Sequence, residues 1–176
     1  MAAWGTRLRQ VREGVMLHYD ASASDSGAVY WMTQDPACKV SYQWLVLDDG
    51  AAVRVAPDSA RAYHAGFCRP SAALRAAGLA YTDANSAFFG IAVAATDGDR
   101  VTEAQKGTVL RLTLDYFKVH KWPLQESWRV VGHEEECWPR GRKPDPTGSD
   151  ASRPVLSVEE IRGYLANALG GGVIPS

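Results

Sequence analysis

Short apolar runs bounded by polar or glycine-containing segments recur along the chain and predict the strands of a sheet. These runs cover residues 15–19, 42–47, 51–55, 88–95 and 129–132. The second and third flank Asp48-Asp49-Gly50, whose Asp-Gly pair suits the positive φ of a turn, so they are predicted to form a hairpin. The run at 88–95 is apolar throughout, which indicates a strand in the middle of the sheet with both faces covered.

Helical spacing of apolar residues predicts helices between these strands. A capping box of Thr102 and Gln105 opens a helix expected to span about residues 102–120. A last helix carries its apolar face at Ile161 and Leu165, and the glycines at 170–172 are expected to end it. A short helix is expected near residues 27–33. Strands and helices thus alternate, which favours an α/β domain.

Length and charge restrict the class of protein. A chain of 176 residues fits one domain, and its composition, 46% hydrophobic and 22% charged, is that of an ordinary globular protein. The formal net charge of −1 provides no general attraction to nucleic acid or to an anionic membrane. No apolar run approaches the roughly 20 residues that a membrane-spanning helix needs. We therefore expect neither a nucleic-acid partner nor membrane insertion.

The two ends of the sequence lead to two further expectations. The basic N-terminal residues, among them Arg7, Arg9 and Arg12, are not followed by an unbroken apolar stretch, so no secretory signal is expected and synthesis is expected in the cytoplasm. The glycine-rich residues 170–176 are expected to form a flexible tail or the stub of a linker, which leaves residues 1–169 as the domain.

The three cysteines, Cys38, Cys68 and Cys137, are scattered and contain no CxxC pair. We interpret them as free thiols, with one disulfide as the alternative.

Two histidines and one aspartate are the residues best suited to chemistry. His18 and His133 each lie where an apolar run meets a polar loop, a usual place for ligands held by a rigid scaffold. Asp145 follows His133 in a loop stiffened by prolines, and such a loop can return the aspartate to the histidine. Two neutral imidazoles and a carboxylate form a three-ligand zinc site whose fourth position stays open, which is the catalytic arrangement. Zinc in such a site makes amide hydrolysis feasible at neutral pH.

A cation follows in the same loop. Lys143, two residues before Asp145, can stabilise a developing oxyanion. By itself it is equally an ordinary solvated charge.

Several segments together resemble the type 2 N-acetylmuramoyl-L-alanine amidases. They are the strand with His18, Tyr42-Gln43-Trp44, Ala62-Tyr63-His64-Ala65-Gly66, Asn85-Ser86 before Phe89-Gly90-Ile91, and Gly132-His133 through Gly141-Arg142-Lys143-Pro144-Asp145-Pro146. The segments occur in the family's order and span roughly residues 15–148. The family includes phage endolysins, bacterial muropeptide-recycling amidases and animal peptidoglycan-recognition proteins.

The resemblance implies a central mixed sheet flanked by helices, and it implies roles for individual residues. His18, His133 and Asp145 match the zinc ligands, Tyr42 matches a catalytic tyrosine, and Lys143 matches a lysine near the substrate carbonyl. His64 matches a histidine expected to line the substrate groove, with a hydrogen-bonded structural histidine as the alternative. Trp138, in the ligand-bearing loop, is expected to face substrate. The implied reaction is hydrolysis of the amide between N-acetylmuramic acid and L-alanine in peptidoglycan.

One departure from the family pattern bears on the type of amidase. Recycling enzymes carry a glutamate after the Gly-Ile pair of the middle strand, where this chain has Ala92. The departure favours a phage endolysin, held in the host cytoplasm until its release to the cell wall. A cytoplasmic recycling amidase and a non-catalytic peptidoglycan-binding module are the alternatives. The oligomeric state is open, with a monomer as the simplest expectation.

The third zinc ligand has two candidates. Some relatives use a cysteine, and Cys137 lies four residues after His133. Asp145 comes after the lysine-bearing loop and just before Pro146, as the family's third ligand does, so Asp145 is the predicted ligand.

Overall fold

A five-stranded mixed sheet forms the centre of the protein, whose computed structural model describes residues 4–6 and 11–168. The strands are β1 (Trp4–Thr6), β2 (Gly14–Tyr19), β3 (Trp44–Val46), β4 (Ala52–Arg54), β5 (Ala60–Ala62), β6 (Phe88–Val93) and β7 (Val130–Gly132). The central sheet has the order β4-β3-β6-β2-β7, in which only the edge strand β4 runs antiparallel to its neighbour. Strands β1 and β5 pair separately in an antiparallel ribbon.

Helices cover both faces of this sheet. They are α1 (Asp25–Thr33), α2 (Ala72–Ala76), α3 (Ala84–Ala87), α4 (Glu103–His120), α5 (His133–Glu136) and α6 (Val158–Ala168), with a 3₁₀ helix at Leu124–Arg129. The predicted α/β class, with a mixed sheet flanked by helices, is confirmed. Among the described helices, none is long and apolar enough to cross a bilayer.

Alternation along β2 separates the two sides of the sheet, because successive side chains of a strand point to opposite faces. Val15 and Leu17 pack in the large core that α4 and α6 complete. Met16 points to the other face, where it joins a second buried cluster. His18 shares that second face, and the site described below is built there.

The hairpin predicted around Gly50 is present as β3 and β4. The turn is closed by the bond from Leu47 N–H to the Ala51 carbonyl at 2.9 Å, and Gly50 adopts a φ of +83°. A Cβ at this position would lie 2.9 Å from the Ala104 carbonyl oxygen. Glycine is therefore required both by the backbone conformation and by the close approach of α4.

The capping box of α4 is also present. The Thr102 hydroxyl accepts from Gln105 N–H at 3.0 Å, and the Gln105 side-chain oxygen accepts from Thr102 N–H at 2.9 Å. The Gln105 amide then donates to the carbonyl of Ala94, just beyond β6, at 3.0 Å. The buried side chain of Gln105 thus pairs the N–H group of the N-cap residue and also anchors the start of the helix to the sheet.

Some expectations concern residues that the structure leaves undescribed. Arg7, Arg9, the glycines at 170–172 and the tail at 170–176 lie outside the described residues. Cys38, Cys68 and Cys137 are described and carry free thiols, as expected.

Candidate metal centre

Two adjacent parallel strands bring the two predicted histidine ligands together. His18 lies in β2, and His133 directly follows β7, whose Gly132 pairs with Leu17. Asp145 returns to this edge and places one oxygen, Oδ2, 2.8 Å from His18 Nδ1 and 3.0 Å from His133 Nδ1. All three residues are buried, and one potential ligand atom from each lies within 4.8 Å of the others.

The hydrogen bond on the far side of the His133 ring assigns its tautomer. His133 Nε2 lies 2.7 Å from the Ala65 carbonyl oxygen, which only accepts, so this nitrogen carries the proton. In a neutral ring Nδ1 is then a bare lone pair, and it faces the Asp145 carboxylate. A hydrogen-bond partner that fixes the outer nitrogen is the usual companion of a metal-binding histidine.

The same reasoning extends to His18 through His64. His64 Nε2 lies 3.4 Å from the Phe88 carbonyl oxygen and donates to it, which leaves His64 Nδ1 as an acceptor. His18 Nε2 lies 3.0 Å from that Nδ1 and must donate, so His18 Nδ1 also presents a lone pair to Asp145. Two nitrogen lone pairs and a carboxylate oxygen repel one another unless a cation lies among them. This donor set fits Zn²⁺.

Burial sets the charge states of the centre. It lowers the pKa of His18 to about 4, and the contact with Asp145 opposes this shift only in part. Burial also lowers the pKa of His64, and the neighbouring His18 and His133 rings lower it further. For Asp145 burial alone would raise the pKa, but positive charge on the side of His133 and His18, whether from a ring proton or from a bound cation, outweighs burial and lowers it. At neutral pH the centre thus combines neutral His18 and His64 rings with an ionised carboxylate, as a zinc site requires.

Backbone hydrogen bonds hold Asp145 in place within its loop. The Asp145 carbonyl accepts from Glu134 N–H at 2.8 Å, next to His133. Just beyond it, the Pro146 carbonyl accepts from Leu156 N–H at 3.0 Å. The carboxylate is therefore positioned by the scaffold and not by a flexible arm.

A cavity of about 250 Å³ opens onto the centre. His64, His133 and Asp145 line it together with both residues predicted to act in catalysis, Tyr42 and Lys143. The Tyr42 ring lies 5.0 Å from the His18 ring. Burial raises the pKa of the Tyr42 phenol, and the nearby Asp145 carboxylate raises it further. Tyr42 is consequently a hydrogen-bond donor at neutral pH.

Trp138 and Cys137 lie outside the cavity lining. Trp138 is 39% exposed, and the Arg69 guanidinium lies over its ring at 4.6 Å from the centroid. The Cys137 thiol contacts the carbonyl oxygens of Glu134 and Lys143 at 3.6 and 3.9 Å and does not join the ligand group.

Sequence reasoning missed Asp20, which also lines the cavity. Its Oδ1 accepts from the N–H groups of Ser22 and Ala95, both at 3.1 Å, while its buried Oδ2 has no partner among the described residues. Burial raises its pKa. Its position two residues after His18 was the available signal, because alternation in a strand places both side chains on one face.

Asn85 is a second residue whose role the sequence did not reveal. Its side-chain oxygen accepts from the N–H groups of His64 and Ala65, both at 2.8 Å. It thereby fixes the segment that supplies the outer partners of both histidine ligands.

Comparison with known proteins places the chain among cell-wall amidases. A model of the N-acetylmuramoyl-L-alanine amidase family matches residues 8–148. No curated protein sequence matches the chain.

Several solved structures share the fold. A selenomethionine derivative of AmpD superposes with a TM-score of 0.67 at 21% identity, over 92% of this chain and 89% of that one. The Escherichia coli N-acetylmuramyl-L-alanine amidase AmiD, in complex with anhydro-N-acetylmuramic acid-L-Ala-D-γ-Glu-L-Lys, gives 0.66 at 17% identity, over 94% of this chain and 60% of that one. The Clostridium intestinale endolysin amidase LysCS gives 0.59 at 14% identity, over 92% and 99%.

Proposed function

The chain belongs to the N-acetylmuramoyl-L-alanine amidase family, and we propose that it is a zinc-dependent hydrolase acting on the amide between N-acetylmuramic acid and L-alanine in peptidoglycan. The observation that carries the proposal is the convergence of two nitrogen lone pairs and one carboxylate oxygen, from His18, His133 and Asp145, at separations of 2.8 and 3.0 Å. A metal cation among them would satisfy all three donors at once.

Three protein ligands would leave one position of a four-coordinate zinc free for water or substrate, and the cavity lined by His133 and Asp145 gives access to it. Zinc bound there supplies Lewis-acid chemistry, since it polarises a carbonyl and lowers the pKa of a water molecule toward about 7. His18 and His133 act as neutral donors whose outer nitrogens are already bonded, so neither ring has to reorient when the metal binds.

Lys143 and Tyr42 complete the proposed machinery on the walls of the cavity. Lys143 is exposed apart from its contact with the cavity, and its ammonium group holds the charge that develops on the carbonyl oxygen. Tyr42 is buried and protonated, and it donates a hydrogen bond to the reacting group. Trp138 and His64 are also proposed to contact the substrate.

Digestion of purified peptidoglycan is the direct test of this function. We expect mass spectrometry to show free stem peptides with an L-alanine amino terminus and glycan strands with intact lactyl groups. A chelator should stop the reaction, and added Zn²⁺ should restore it. Products cut between sugars, or between amino acids of the stem, would refute the amidase assignment. Undiminished activity in a preparation shown by elemental analysis to lack metal would refute the zinc requirement.

We propose further that the enzyme is an endolysin, acting on polymeric cell wall. Ala92 supports this role: it is fully buried and pairs with His18, so the middle strand supplies no carboxylate beside the metal ligand. In this role the protein stays in the host cytoplasm until lysis. Residues 1–169 are proposed as the catalytic domain. A binding module without activity is disfavoured because all three ligand residues are present and assembled.

The endolysin role predicts a preference for intact sacculi over soluble fragments. We expect a higher kcat/KM for amide bonds in sacculi than for the same bond in a soluble anhydro-muropeptide. Both rates are measured with the same zinc-loaded preparation, by release of stem peptide. A marked preference for the soluble anhydro-muropeptide would instead identify a recycling amidase.

A further inference from the structure

Cys68 and Cys137 face each other across a short antiparallel bridge beside the metal centre. The backbone hydrogen bonds of the bridge are 3.0 and 3.1 Å long and join the residues on either side of the cysteines, Arg69 to Glu136 and Trp138 to Phe67. The cysteines therefore occupy a non-hydrogen-bonded position of the ladder. At this position the two side chains lie on the same face and the Cα atoms approach to about 4.5 Å.

That separation is within the range of about 4.4–6.8 Å over which two cysteines can be bridged. The thiols are at present turned toward backbone oxygens. Cys68 Sγ contacts the Ala65 carbonyl at 3.2 Å, and Cys137 Sγ contacts the Pro139 carbonyl at 3.7 Å. These are weak interactions, so rotation of the side chains brings the sulfurs together without a change of the backbone.

We propose that Cys68 and Cys137 are a thiol modification site that forms an intramolecular disulfide when the protein meets a disulfide oxidant. The thiolate of one cysteine attacks the oxidant, for example oxidised glutathione, whose S–S bond breaks: one half forms a mixed disulfide with the cysteine and the other half leaves as glutathione. The second cysteine then attacks the mixed disulfide and displaces the glutathione bound there. Two thiols are oxidised to one disulfide, one glutathione disulfide is reduced to two thiols, and the two cysteine protons end on the released glutathione.

Exposure decides the order of these events. Cys68 is partly exposed whereas Cys137 is completely buried, so Cys68 meets the oxidant and Cys137 resolves the mixed disulfide. Burial also raises the pKa of the Cys68 thiol to about 12, so the reactive thiolate is scarce at neutral pH and oxidation is slow. The reaction therefore needs long exposure to an oxidising environment, and the thiols persist in a reducing cytoplasm.

The bond would link the two segments that orient His133. Ala65, three residues before Cys68, accepts the His133 Nε2 proton, and Cys137 ends the turn that begins at His133. If the proposed function holds, the disulfide forms only where peptidoglycan lies, outside the cytoplasm. There it would hold the outer partner of a metal ligand in place.

The test is oxidation of the folded wild-type protein with oxidised glutathione, followed by thiol counting and peptide mapping without reductant. We expect two of the three thiols to disappear slowly and one cross-linked peptide pair to contain Cys68 and Cys137. Cys38 is the matched control: it is buried like Cys137 but has no cysteine opposite. Cys38→Ser should form the same cross-link, whereas Cys137→Ser should stop at a stable glutathione adduct on Cys68.

Thermal unfolding supplies a second measurement. A disulfide between positions 68 and 137 restricts the unfolded chain and should raise the Tm by roughly 10 °C over the reduced protein. Cys68→Ser, at a partly exposed position, should show no such change with oxidant. A stable glutathione adduct on Cys68 in the wild type, cross-links through Cys38, or equal Tm values for oxidised and reduced protein would each overturn the proposal. None of these outcomes depends on zinc or on amidase activity, so the proposed function is tested separately.

Discussion

Asp145→Ala is expected to abolish both zinc binding and amidase activity. Asp145 Oδ2 is the carboxylate oxygen that both histidine Nδ1 atoms face, at 2.8 and 3.0 Å. Without it the site keeps two neutral ligands and loses the only negative charge among the three. Zinc content by elemental analysis and affinity by chelator competition measure the first effect, and stem-peptide release measures the second.

Cys137→Ser is the matched control for that experiment, because a thiolate at this position is the chemical rival of the carboxylate. The Cys137 thiol contacts backbone carbonyls outside the ligand group, so the variant should keep the metal and most of the activity. The reverse pattern, with zinc lost from Cys137→Ser and retained in Asp145→Ala, would overturn the ligand assignment.

Lys143→Ala and Tyr42→Phe are expected to retain zinc and the fold while each loses about 10²- to 10³-fold in kcat. Neither residue belongs to the ligand group, yet both line the cavity in front of it. Their donors act on charge that develops in the transition state, so the loss should fall on kcat more than on KM. Steady-state kinetics on a soluble muropeptide, with zinc content measured on the same samples, distinguish these effects.

Lys39→Ala controls for the loss of one positive charge near the cavity. Lys39 is exposed and adjacent to Val40, which lines the cavity, but Lys39 itself does not line it. Its removal should leave kcat close to the wild-type value. Nearly full turnover of Lys143→Ala would contradict the oxyanion role assigned to that lysine.

The longer elements could be predicted from the sequence because their patterns repeat often enough to be recognised. Helix α4 extends over Glu103–His120 behind the expected capping box, and the apolar run around Ile91 is the central strand β6. Strand β5 and helices α2 and α3 were missed. Each has only three to five residues, too few to show a period of 2 or 3.6. Their positions are set by tertiary contacts that local sequence does not encode.

The residues of the candidate site could be predicted from the sequence, but the hydrogen bonds between them could not. The sequence indicated His18, His133 and Asp145, and the structure brings them together. It did not indicate that His64 bonds His18, because that contact joins a strand to a loop residue 46 positions away, which local sequence pattern does not reveal. Whether the remaining face of His64 contacts substrate stays a prediction.

The spacing of the ligands along the chain determines when the metal can enter during folding. His18 and Asp145 are 127 positions apart, and the pairing of β2 with β7 places His133 beside His18. Zinc fingers differ, since their ligands lie a few residues apart and the ion helps to nucleate the fold. Here the entropic cost of closing so long a loop is offset by the formation of the sheet, before the three ligands come together. A metal ion at this site would therefore bind a finished scaffold, slow its unfolding by mass action and leave the rate of folding unchanged.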